Sequence, residues 1–178
     1  MNDIQNVKHL PKDLLITKEL VYDKCAFDFK NASTETESAE YGACTFTLNG
    51  ISIKYRVAKI TPTKTGQFVT VWKRKGDGPI EPFESTDELD VVVISTRKND
   101  LFGQFVFPKT VLMEHGIVSG KSKAGKRGFR VYPPWDVANS PQAKKTQQWQ
   151  LRYFLEISNG SLTNLSLANQ LYSSAAFK

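Results

Sequence analysis

Four consecutive β-branched apolar residues, Val91-Val92-Val93-Ile94, sit inside the stretch from Leu89 to Thr96. Neighbouring side chains of a strand point to opposite faces, so this run needs apolar cover on both sides. It therefore belongs at the centre of a sheet with a layer above and a layer below. A chain of 178 residues is long enough to build one such core. Leu101 to Phe107 follows closely enough to be its hairpin partner.

The rest of the chain supplies material for both layers. Pro11 and Asp13 suit a helix start, and Leu14, Leu15, Val21 and Tyr22 carry the helix to about Lys24. Residues 31–40 are polar and read as a loop. Asn49-Gly50, a pair favoured in two-residue hairpin turns, joins strands predicted at 43–48 and 51–60. In the second of these, Ile51, Ile53, Tyr55 and Val57 share one face and Ser52, Lys54, Arg56 and Ala58 the other. The charged face must be wet or bound to something anionic. Gln67 to Arg74 reads as a further strand. Pro108 opens a short helix that Gly116 closes, Gly128 to Tyr132 is a strand, and Ser140-Pro141 caps a helix predicted to reach Ile157. Leu165, Ala168 and Leu171 allow a last helix. The pattern predicts a single α/β (α+β) domain spanning 1–178, with a mixed central sheet flanked by helices.

Charge is unevenly placed. Residues 54–76 carry seven cations and no carboxylate, residues 77–96 six carboxylates and no cation, and residues 97–130 eight cations against two carboxylates. Such blocks either pair within the molecule or form a positive face for phosphate beside an acidic patch. No apolar run reaches the length of a membrane span, so no membrane partner is expected. Cys25 and Cys44 form no close-spaced pair and read as free thiols, which points to a reducing cytoplasm. His9 and His115 each stand without a nearby Cys or His, so no metal site of the zinc type is expected.

The segment Gly125-Lys126-Arg127-Gly128-Phe129-Arg130-Val131-Tyr132-Pro133-Pro134-Trp135-Asp136 joins a cationic, glycine-flanked loop to an aromatic strand end. Such a loop neutralises phosphates and offers flat faces for bases. Together with the runs 55–74, Gly103-Gln104-Phe105-Val106-Phe107-Pro108-Lys109 and Gln142-Ala143-Lys144-Lys145-Thr146-Gln147-Gln148-Trp149, it resembles the MepB-like family. The likeness covers about residues 10–157 and leaves 158–178 as a C-terminal extension.

The resemblance implies a restriction-endonuclease-like fold and nucleic-acid binding. In that superfamily two carboxylates hold a divalent cation and a lysine positions the nucleophile. With 67–74, 89–96 and 101–107 as the three strands, Asp90 takes the place of the first acid and Gln104 that of the second. Val106 takes the lysine position, leaving only Lys109 or Lys73 to reach the site from elsewhere. The catalytic motif reads as degraded.

The expectation is thus a cytoplasmic nucleic-acid-binding protein, for DNA or RNA, that needs no cofactor. Its candidate contacts are Lys59, Lys64, Lys73, Arg74, Lys126, Arg127, Arg130, Lys144 and Lys145, with Trp135 as an exposed stacking platform. One alternative is a magnesium-dependent nuclease using Asp90 and Gln104. Another is a module for binding proteins or small molecules. A homodimer is compatible with the resemblance.

Overall fold

A computed structural model describes residues 9–157 and 163–173. The strands are β1 (Phe29–Thr34), β2 (Cys44–Leu48), β3 (Ile51–Val57), β4 (Lys59–Ile60), β5 (Gln67–Thr70), β6 (Trp72–Arg74), β7 (Ile80–Pro82), β8 (Val91–Lys98), β9 (Leu101–Pro108), β10 (Gly128–Val131) and β11 (Phe154–Glu156). The α-helices are α1 (Lys12–Thr17), continued as a π-helical turn over Lys18–Tyr22, then α2 (Lys109–Glu114), α3 (Pro141–Gln150) and α4 (Leu165–Leu171). A six-stranded sheet has the order β1-β2-β3-β8-β9-β11, beside a three-stranded sheet β10-β5-β4 and a ribbon of β6 and β7. The β3–β8 pair is parallel and the others in the large sheet are antiparallel, so the sheet is mixed.

The alternation in β8 does what its sequence requires. Val91 and Val93 face one core with Leu14, Val21, Tyr22, Ala168, Leu171 and Tyr172. Val92 and Ile94 face a second core with Val69, Phe107, Leu112, Phe129 and Val131. Helices α1 and α4 cover the first face, while the three-stranded sheet and α2 cover the second. Asn49 and Gly50 both have positive φ, 53° and 78°, the geometry that a two-residue hairpin turn between twisted strands demands.

Four sequence expectations need correction. The strand expected over 51–60 breaks at Ala58, with Ile51–Val57 in the large sheet and Lys59–Ile60 in the three-stranded one. Residues 29–34, partly assigned to a loop, pair with β2 as an edge strand. The strand expected over Gln67–Arg74 breaks at Val71, whose N–H goes to the Arg127 carbonyl; its halves join different sheets. The helix expected to reach Ile157 ends at Gln150, and Phe154–Glu156 extends along β9, because the open edge of β9 can take three more residues. Within the single domain, α4 joins the first core through Ala168, Leu171 and Tyr172. Of the segment 158–178, residues 158–162 and 174–178 lie outside the described residues.

Candidate nucleic-acid interface

The three-stranded sheet brings cations and aromatics from distant stretches into one row. Lys59 in β4 pairs with Phe68 in β5, and Phe68 with Arg130 in β10, so the three side chains share a face. The opposite face carries Val69, Phe129 and Val131 into the second core. Tyr41 extends the row: Lys59 Nζ lies 4.4 Å from its ring centroid, and its ring meets Phe68 edge-on at 6.2 Å. Arg130 stands over Phe68 at 6.0 Å and donates to Thr61 Oγ1 (2.7 Å) and to the carbonyls of Thr65 and Gly66. Those acceptors are neutral, so the guanidinium charge is not cancelled. Gly66 (φ 76°) is required here: a Cβ would lie 2.7 Å from the Tyr132 ring.

Strand β10 is an edge, and α3 is strapped to it by two glutamines. The Gln150 carboxamide accepts from Tyr132 N (2.8 Å) and donates to the Arg130 carbonyl (2.9 Å), imitating a neighbouring strand. Gln147 Nε2 donates to the carbonyls of Pro133 (3.0 Å) and Asp136 (2.9 Å), fixing the Pro-Pro turn. Between α3, β10 and the end of α2 lies a cleft of about 370 Å³ lined by Lys126, Arg130, Tyr132, Gln142, Thr146, Trp149 and His115, among others, with no carboxylate among the described residues of its walls. His115 stacks flat on Trp149, with centroids 3.8 Å apart and planes 5° apart. Burial holds the imidazole below its ordinary pKa, with Lys123 adding to the effect and Glu114 opposing it. The stack is therefore neutral, and the cleft's charge comes from Lys126 and Arg130.

The loop before β10 is built rather than slack. Gly125 N–H donates to Ser119 Oγ (2.8 Å), Lys126 N–H to the Ile117 carbonyl (2.9 Å), and a Cβ on Gly125 would collide with that carbonyl. Lys126 and Arg127 are exposed, and among the described residues neither makes an ion pair. The same holds for Lys59, Lys64, Lys144 and Lys145. Lys145 lies one turn before Trp149 on α3, beside the cleft, whereas Lys144 is turned about 100° further away. Lys64 borders a smaller cavity with Lys98 and Asp136.

Other expected contacts are engaged inside the molecule. Lys73 is held by Glu84 (3.1 Å) and Asp87 (2.7 Å), and Arg74 by Glu37 (2.9 Å). The charged face of β3 is not wet: Arg56 is 1% exposed and, with Lys54, meets Glu35 at 2.8 and 2.7 Å. Trp135 is no exposed platform. It packs edge-on against Phe154 at 5.6 Å, and its indole N–H is buried with no hydrogen-bond partner among the described residues.

Asp90 and Gln104 are not brought together. Asp90 precedes β8 and accepts from Ser52 N (2.9 Å), whereas Gln104 pairs with Ser95, five residues along the strand, about 16 Å away. Gln104 is fully buried and bonds to Thr17 and Tyr172. Lys109 donates to the carbonyls of Ser85 and Asp87. Among the described residues, no group of three or more His, Cys, Asp or Glu side chains is placed to hold a metal ion.

Sequence reasoning missed Tyr41, the His115–Trp149 stack and the two glutamine straps. The last had a signal: Gln147 and Gln150 stand three apart on a helix whose apolar residues are few.

No curated protein sequence matches the chain. A solved structure titled "Crystal Structure of MepB" superposes with a TM-score of 0.72 at 32% identity, covering 84% of this chain and 99% of that one. The MepB-like family matches residues 35–156, a stretch that contains β10, the cleft and both glutamine straps. The chain belongs to the MepB-like family.

Proposed function

We propose that this protein binds nucleic acid, DNA or RNA, by contacting phosphates along the three-stranded sheet and the adjoining loop. A single observation carries the reading. Lys59, Phe68 and Arg130 stand side by side on one face, and Lys126 and Arg127, which make no ion pair among the described residues, lie in the loop before β10. Cations alone would attract any polyanion, but interleaved aromatic rings are what bases stack on. Within the acidic block 77–90, Glu84 and Asp87 are tied to Lys73, which offsets part of its charge. A restriction-endonuclease-like scaffold is part of the same proposal and is supported by a mixed sheet with helices packed on its faces. The protein then acts as a binding module, since Asp90 and Gln104 do not share a site.

The test is a salt titration of binding to labelled duplex DNA and to single-stranded RNA. For duplex DNA, log affinity should fall with log salt, with a slope of about 0.9 per phosphate neutralised. The variant Lys59→Ala/Lys126→Ala/Arg127→Ala should bind more weakly and show a shallower slope. Affinity that does not change between low and moderate salt overturns the proposal.

A further inference from the structure

We infer that the cleft between β10 and α3 receives one nucleoside phosphate unit, its base against the His115–Trp149 stack and its phosphate against Lys126 and Arg130. The inference rests on the nucleic-acid reading and narrows it to an unpaired nucleotide, for three reasons. The cleft, about 370 Å³, lies at the small end of the range for ligand pockets, too small for a duplex but suited to a single unit.

Its walls are also mixed in chemistry. They hold the cations Lys126 and Arg130, the stacked aromatic planes of His115 and Trp149, and the amide of Gln142 and hydroxyl of Thr146 on α3. A base presents a flat face and polar edges, a phosphate presents charge, and the two are joined at a fixed distance. A lone inorganic anion would leave the aromatic planes unused, and an apolar ligand would leave two cations uncompensated.

Lastly, the stack is arranged to accept a further ring. Trp149 has Phe107 at 5.3 Å and His115 stacked on it at 3.8 Å, and the imidazole is exposed and lines the cleft. Strand β10 cannot close the cleft by pairing with another strand, because Gln150 already occupies Arg130 O and Tyr132 N.

The experiment compares a blunt duplex, the same duplex with one unpaired terminal nucleotide, and free AMP, at one salt concentration. The proteins are wild type, His115→Ala, the cleft-filling Thr146→Trp, and Lys24→Ala as a charge control remote in sequence. Wild type should prefer the unpaired end by about tenfold, a typical effect of stacking one base. That ratio should fall to about one in His115→Ala and in Thr146→Trp, and persist in Lys24→Ala. Should Thr146→Trp fail to fold, His115→Ala, at an exposed position, still decides the matter. Equal binding of blunt and unpaired ends, with no binding of AMP, overturns the cleft assignment while the nucleic-acid reading stands. Saturable AMP binding without any oligonucleotide binding overturns the nucleic-acid reading but keeps the cleft as a free-nucleotide site.

Discussion

Gln104 lies at the hub of a polar chain that crosses the first core. Its Nε2 donates to Thr17 Oγ1 (3.1 Å) and Ser95 Oγ (3.4 Å), and its Oε1 accepts from Tyr172 (2.9 Å). The chain continues from Tyr172 to Tyr22 (2.9 Å) and from Ser95 to Tyr55 (2.6 Å). Burial pushes the phenols of Tyr22, Tyr55 and Tyr172 well above their ordinary range, so they stay neutral and act through hydrogen bonds. A buried donor or acceptor left without its partner costs about 1–3 kcal/mol. Gln104→Leu removes three hydrogen bonds, at about 1 kcal/mol each, from neighbours that keep their bonds to the Asp13 carbonyl, Tyr55 and Tyr22, and should destabilise by about 3 kcal/mol, a fall of roughly 6–12 °C in Tm. Thermal unfolding followed by circular dichroism checks this; an unchanged Tm would mean that the chain of hydroxyls contributes nothing net. The position that sequence matching assigned to a metal ligand is hydrogen-bonded within the first core.

The acidic segment between β7 and β8 is held at the element scale by two lysines, Lys73 on its carboxylates and Lys109 on its carbonyls. Burial alone would raise the Asp87 pKa, but hydrogen bonds from Lys73 and from Glu84 N–H, with the charge of Lys73, outweigh it and hold the carboxyl below its ordinary 3.8. Lys73 is raised by the same contacts, against the opposing effect of its own burial. A lowered carboxylate pKa contributes stability that is present above the unfolded value and lost as pH falls through the folded one. The raised lysine contributes fully below its ordinary 10.5 and loses that contribution only as pH rises beyond it. The Tm difference between wild type and Asp87→Asn should therefore be constant from about pH 5 to pH 9 and shrink below about pH 4. A difference that persists unchanged into acid would assign the contact to shape rather than charge. The helices and strands themselves were legible where a local cause sufficed, as at Asn49-Gly50 and Ser140-Pro141. They were not legible at Phe154–Glu156 or Val71, where a partner strand or a distant carbonyl decides the matter.

Across the whole molecule, the two basic blocks are sorted into cations that hold the fold and cations that face solvent. Arg74 is bound to Glu37 and to the Gly78 carbonyl (2.8 Å), whereas Arg127 has no carboxylate partner among the described residues. Arg127→Ala should weaken duplex binding several-fold at low salt, and Arg74→Ala should change it less than twofold, as compared by fluorescence anisotropy. Equal losses would mean that the field of the whole surface, rather than a defined face, attracts the ligand.

Within a few residues, sequence alone determined much: the doubly covered strand at Val91–Ile94, the tight turn at Asn49-Gly50, the cap at Ser140 and the membership of the family. Each depends on neighbours close along the chain or on a motif readable in order. Only the tertiary structure decided which charges survive at the surface. Glu35 meets Arg56 across 21 residues, Glu37 meets Arg74 across 37, and Asp13 meets Arg97 across 84. A carboxylate cancels whichever cation the folded backbone sets within about 4 Å of it, and that distance is written in the packing of the sheets rather than in the spacing of the residues.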